Sequence, residues 1–208
     1  MIRSKHWFSA TFVMFLCLAT STASAGKYNT VLDIGDAAPA WSELPGTDDG
    51  VHALQQLAEK KVVVVAFTCN SCPYAVDAED RLNALVDRYA GKSVAVVAIN
   101  VNKVEEDRMA AMKQRAKEKG FKFAYLWDES QQIAKDYGAK YTPEFYVLDE
   151  QRKVVYMGAM DDSPAGDKVT KTYVIDAIEA TLAGREVEVT ETIPIGCRIR
   201  IERRRRTR

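Results

Sequence analysis

Histidine is almost missing from this chain: His6 and His52 are the two in 208 residues. Cysteine is nearly as scarce, with four in all. Once residues 1–25 are set aside, the soft ligands beyond Cys69 and Cys72 are Cys197 and His52, and neither is paired. A structural zinc site needs a second ligand pair, so this shortage argues against one. It argues equally against a scaffold held by several disulfides. There is no internal repeat, and no apolar run reaches the ~20 residues of a mature membrane-spanning helix. Neither sign of charge is in excess, with 29 basic and 29 acidic groups, and the length and composition suit a single globular domain.

The start of the chain carries an address. Arg3 and Lys5 form a basic segment, Trp7 to Ala19 an apolar core, and Ala23-Ser24-Ala25 a small-x-small cleavage site before Gly26. Residues 1–25 are therefore predicted to be a signal peptide removed after Ala25, and the protein to be exported, periplasmic or extracytoplasmic. A retained membrane anchor is the weaker alternative because the apolar core is short. A lipoprotein is disfavoured because Leu16, not a small residue, precedes Cys17. Cleavage leaves three cysteines and a balance of 27 basic to 29 acidic groups.

The chemistry centres on Cys69-Asn70-Ser71-Cys72-Pro73. The wholly apolar run Val62 to Ala66 reads as a strand buried on both faces. After Pro73, Ala78, Leu82, Leu85, Val86 and Tyr89 recur at helical spacing. Two cysteines at a strand-to-helix turn suit thiol chemistry, since the positive end of a helix favours a thiolate. The spacing brings Cys72 round one turn, within reach of a disulfide. Cys69, expected at the N-cap, is the attacking thiol and Cys72 the resolving one. Pro73 is expected to loosen the first turn by removing an N–H.

Before this motif, turn signals fill 26–50 and a short helix is predicted over 51–60. After it, the pattern predicts a strand at 94–101, a helix at 104–119 ended by Gly120, and a strand at 123–127. A helix capped by Ser130 and ended by Gly138 comes next, then a hairpin of 145–148 with 154–157, and a last helix over 169–183. Strands alternating with helices and closing on a hairpin imply an α/β sandwich with a mixed sheet, one domain over 26–197. Thr142-Pro143 just before the hairpin is a second candidate feature. A cis proline there could lie against the disulfide and leave the Thr142 backbone free to pair with a substrate's extended chain.

These features together resemble the thioredoxin fold, a three-layer sandwich with helices on both faces of the sheet. More closely, the chain resembles the extracytoplasmic thioredoxin-like proteins of the redoxin (AhpC/TSA-like) group over about 30–197. Gly35-Asp36-Ala37-Ala38-Pro39 with Trp41, Ala98-Ile99-Asn100, Trp127-Asp128-Glu129-Ser130-Gln131, Tyr137-Gly138-Ala139 and Gly158-Ala159-Met160-Asp161-Asp162 carry the similarity beside the redox turn. Residues 104–127 resemble the group's helix-strand insertion. The resemblance implies Cys69 as nucleophile, Cys72 as resolving thiol and Pro143 as the cis proline, with no cofactor. Strand 62–67 lacks the buried carboxylate that thioredoxin uses to take the resolving cysteine's proton; Glu144 and Lys61 are the candidate substitutes. The Asn-Ser pair between the cysteines differs from that of thioredoxin and of the strong oxidants, so direction of flow is open across roughly −270 to −120 mV.

The leading expectation is a thiol–disulfide oxidoreductase of the cell envelope. It exchanges with protein disulfides and dithiols and acts as a reductant fed by a membrane electron donor. A thiol peroxidase is the first alternative, although peroxiredoxins carry threonine where this chain has Ala66. A non-enzymatic copper-binding protein of the same fold is the second, and its further ligand would have to be His52. Cys197, in Pro194-Ile195-Gly196-Cys197, is a candidate third redox thiol shuttling with Cys69 or Cys72. Residues 198–208 hold seven arginines and are expected to be a disordered tail whose Arg203–Arg208 could meet an anionic surface. Nothing else points to nucleic acid.

Overall fold

The structure, a computed structural model, describes residues 26–202. The predicted signal peptide and Arg203–Arg208 lie outside the described residues. Two short strands, Leu44–Pro45 (β1) and Val51–His52 (β2), pair antiparallel and lead into a 3-10 turn at Leu54–Leu57. The helix expected over 51–60 is reduced to that turn because Val51 and His52 are engaged by β1, and the Gln56 side chain holds the Ala53 N–H. The chain then runs through Val62–Thr68 (β3), Pro73–Asp77 (α1), Glu79–Arg88 (α2) and Val94–Asn100 (β4). A 3-10 turn at Glu105–Asp107 precedes Met109–Lys119 (α3) and Ala124–Trp127 (β5). Gln132–Tyr137 (α4), Tyr141–Thr142 (β6), Glu144–Leu148 (β7), Val154–Gly158 (β8), Tyr173–Leu182 (α5) and Cys197–Arg198 (β9) complete it.

The main sheet is ordered β5-β4-β3-β7-β8, with β3, β4 and β5 parallel and β7 and β8 antiparallel. β3 is central, and all seven of its residues are buried. Val63, Val65 and Phe67 face one side, with Trp41, Ala134 and Tyr137. Val62, Val64 and Ala66 face the other, with Leu82 and Leu85 of α2, Met112 of α3, and Val174, Ala177 and Ile178 of α5. Helices therefore cover both faces of a mixed sheet, the three-layer α/β sandwich expected. Full burial of a valine or phenylalanine side chain is worth about 1.5–3 kcal/mol, so the strand that ends at the cysteines is firmly held. The 104–127 segment adds α3 and the edge strand β5, and Arg115 of α3 ion-pairs with the buried Glu79 of α2.

Local corrections have local causes. The helix after the cysteines is broken at Ala78. Gln131, in a left-handed conformation, occupies the N-cap of α4 in place of Ser130; Asp128 and Ser130 instead accept from the Ile133 and Gln132 N–H groups. The last helix starts at Tyr173 because Asp162 accepts from the Thr170 and Lys171 N–H groups and holds that stretch as a loop. The tail expected from 198 is docked at its start: Arg198 belongs to β9 and Ile199 is buried in the core.

Candidate redox site

β3 ends at Thr68, and the next residues turn over the end of the sheet. The α1 helix begins one residue beyond Cys72, which is its N-cap, with Pro73 at the first helical position. The expectation of Cys69 at the N-cap is thus corrected: proline is favoured at that first position, where the N–H has no partner to lose. It starts the helix there instead of loosening it. Cys69 stands three residues earlier in the turn. Both thiols are free and buried, and they cluster with Ala75 and with the half-buried Cys197.

Thr142 addresses both sulfurs. Its Oγ1 lies 3.3 Å from Cys69 Sγ, and its carbonyl accepts from Cys72 Sγ at 3.0 Å. The Thr142–Pro143 peptide bond is cis. The hydrogen bond between the two sulfurs is the largest influence on each of them. It draws the first ionisation of the pair down and, with burial, drives the second far up. At neutral pH the pair therefore holds one charge and one proton. The Thr142 carbonyl would repel a thiolate on Cys72 but accepts its S–H, whereas the Thr142 hydroxyl can donate to a thiolate on Cys69. The surroundings thus place the proton on Cys72 and the charge on Cys69.

The turn is held by a residue that sequence reasoning missed. Asp107 is fully buried. Its carboxylate accepts from the Asn70 N–H at 2.6 Å, the Ser71 N–H at 3.1 Å and the Ser71 hydroxyl at 2.5 Å. Asn70 donates to the Glu106 carbonyl and accepts from Tyr125 Oη, which in turn accepts from Asn100. The Asn-Ser pair is therefore matched to the insertion, which supplies Asp107 and Tyr125. Glu105-Glu106-Asp107 falls in the helix predicted over 104–119 but forms a 3-10 turn before α3, and no spacing rule marks its third carboxylate as buried.

The remaining candidates separate. Glu144 is buried, and burial raises its carboxyl pKa despite hydrogen bonds from the Lys140 and Tyr141 N–H groups and Tyr146 Oη. It braces the approach to Thr142. Lys61 lies at the opposite end of β3 from the cysteines and is exposed, so it is corrected out of the site. His52 is engaged with Asp48 at 3.0 Å. Among the described residues no cluster of three or more His, Cys, Asp and Glu is placed to hold a metal ion.

Cys197 is brought to the pair by strand pairing. In the β6–β9 ladder Cys197 is the partner of Thr142, and the Ile199 N–H donates to the Lys140 carbonyl at 2.9 Å. The Thr142 edge expected to be free for a substrate chain is thus occupied by the protein's own C-terminal strand. Gly196 allows this approach, since a Cβ there would lie 2.2 Å from the Thr142 carbonyl oxygen. Burial first, and then the hydrogen bond with Cys72, pushes the Cys197 thiol up to about 11.

No curated protein matches the chain. Two solved structures match it well. A hypothetical protein of Sinorhizobium meliloti is 34% identical, with a TM-score of 0.77 over 82% of this chain and 96% of its own. An uncharacterized conserved protein of Geobacillus kaustophilus is 36% identical, with a TM-score of 0.77 over 84% and 95%. The thioredoxin domain of a thiol-disulfide oxidoreductase of Bacteroides vulgatus shares the fold at 18% identity, with a TM-score of 0.53 over 61% and 88%. The AhpC/TSA family matches residues 34–157, and with a thioredoxin-like sheet carrying two apposed thiols at the end of its central strand, the chain belongs to that family of thioredoxin-like redox proteins.

Proposed function

We propose that the protein is a thiol–disulfide oxidoreductase of the cell envelope in which Cys69 attacks and Cys72 resolves. The observation that carries this is the double engagement of Thr142, whose hydroxyl serves the Cys69 sulfur and whose carbonyl holds the Cys72 proton. Cys69 thiolate attacks a substrate disulfide and forms a mixed disulfide. Cys72 then loses its proton and attacks Cys69, which closes the internal disulfide and releases the reduced substrate. The export signal read in residues 1–25 supports the location, and no helix among the described residues is long and apolar enough to cross a membrane. The charge of Asp107 opposes the nearby thiolate, which favours a donor of electrons over an oxidant; its own supply would be a membrane donor or a soluble thiol. Protein disulfides are the proposed substrates, and they reach the Thr142 edge when β9 lifts. A peroxidase reading finds Ala66, a buried methyl of β3, where a hydroxyl is wanted.

The test is the reduction potential of the Cys69–Cys72 pair in thiol redox buffers. A value near the roughly −270 mV of a reductant is expected. One near −120 mV would reverse the direction, and the absence of a two-electron couple would overturn the reading.

A further inference from the structure

Beside β9 the surface opens into a cavity of about 480 Å³. Cys72 and Cys197 line it, as do Lys103, Arg198, Arg200 and Glu106, whereas Cys69 does not. Lys103 is already paired with Glu202 at 3.0 Å. Arg198 and Arg200 have no carboxylate partner among the described residues. Two uncommitted guanidiniums therefore outweigh the single carboxylate of Glu106 at the mouth of a cavity with two redox-capable sulfurs in its wall. A polypeptide must displace β9 to pair with Thr142, but a small molecule can enter here with β9 in place.

We propose that a small thiol bearing carboxylate groups enters this cavity and returns electrons to the oxidised protein through Cys197. The proposal rests on the exchange function described above and names the electron donor's chemical class. Exchange with a substrate leaves the Cys69–Cys72 disulfide. Cys197 loses its proton and attacks Cys72 Sγ: the Cys72–Cys197 bond forms, the Cys69–Cys72 bond breaks, and Cys69 leaves as thiolate. The first small thiolate attacks Cys197 Sγ to give a mixed disulfide and frees Cys72, which takes a proton. A second small thiolate attacks the bound small-molecule sulfur and releases its disulfide and Cys197. Two small thiols are oxidised to one disulfide, and one protein disulfide is reduced to two thiols. The reduced Cys72 sulfur opposes ionisation of Cys197, and Arg200 favours it; once Cys72 is held in a disulfide that opposition is gone and Arg200 remains.

The experiment measures how fast the oxidised protein is reduced by mercaptosuccinate, 2-mercaptoethanol and cysteamine at equal thiolate concentrations. The anionic thiol should be faster than the neutral one by on the order of five- to tenfold, and the cationic one slower, as expected for one or two charges meeting near a protein surface. The double variant Arg198→Gln, Arg200→Gln should lose this ranking, and Cys197→Ser should lose the fast phase for all three. Should the arginine variant fail to fold, 1 M salt on the unaltered protein should level the three rates. Equal rates for the three thiols would overturn the proposal, as would a ranking that survives the arginine variant or high salt. Loss of the Cys69–Cys72 couple itself would instead remove the underlying function.

Discussion

Replacing Asp107 with asparagine keeps the size of the side chain and removes its charge. The retained carbonyl can still accept from the Asn70 and Ser71 N–H groups, but the new amide N–H faces Ser71 Oγ and donates to it. The Ser71 hydroxyl, now given to Asp107, turns its proton toward Cys69 Sγ, 3.8 Å away. Ser71 Oγ lies 2.5 Å from the carboxylate and 3.8 Å from the sulfur, so charge and sulfur are separated by no more than about 6 Å. At that distance a unit charge opposes a thiolate by roughly 0.7 kcal/mol in water-like surroundings and up to ~3 kcal/mol at an effective dielectric of ~20, about 0.5–2 pKa units. The first ionisation of the pair, which the Asp107 charge opposes at Cys69, should therefore move to lower pH in Asp107→Asn. The reduced state gains stability, and the potential should rise by ~15–60 mV. Replacing charge-assisted bonds by neutral ones should also lower folding stability by about 1–3 kcal/mol. Alkylation of Cys69 by iodoacetamide across pH, with mass mapping, reads the ionisation, and equilibration in glutathione buffers reads the potential. An unchanged alkylation profile and an unchanged potential, with only the denaturation midpoint lowered, would refute an electrostatic role and leave Asp107 a brace.

Gly196→Ala should drive β9 away from Thr142, because the added methyl meets the Thr142 carbonyl oxygen. Overpacking of this kind costs about 1–3 kcal/mol, and Cys197 should then react faster with a bulky maleimide; unchanged labelling and melting would mean that β9 is not held against Thr142. Glu144→Gln tests the buried carboxyl. Its pKa is raised by burial, so its contribution to stability is present at low pH and is lost as pH rises through the folded value. Denaturation of the unaltered protein should lose ground to Glu144→Gln as pH rises above the ordinary carboxylate range, each unit of difference in pKa being worth about 1.4 kcal/mol; parallel curves would show that the carboxyl has its ordinary value.

Local pattern was enough for the thioredoxin-like architecture. The uninterrupted apolar run of β3 needs burial on both faces, a strand-to-helix turn with two cysteines can hardly sit anywhere but at the sheet's end, and Gly138, at φ +66, ends α4 where a left-handed residue was expected. The cysteines and Thr142-Pro143 were legible because each is marked by a neighbour in the chain. What was not legible depends on contacts between residues far apart in sequence. Asp107 reaches the cysteine turn across 36 and 37 positions, and nothing beside it distinguishes it from the solvated Glu105 and Glu106. The start of the helix at Pro73 rather than at Cys69 combines the preference of proline for the first helical position with that same carboxylate, which accepts from the turn's N–H groups. Lys61 is adjacent to β3 in sequence, yet a strand is a rod, and its two ends are on opposite sides of the molecule. Cys197 was visible as an unexplained thiol; only the pairing of β9 with β6 placed it beside Cys72, because strand register is a property of the folded sheet and is not written in the spacing between residues 142 and 197.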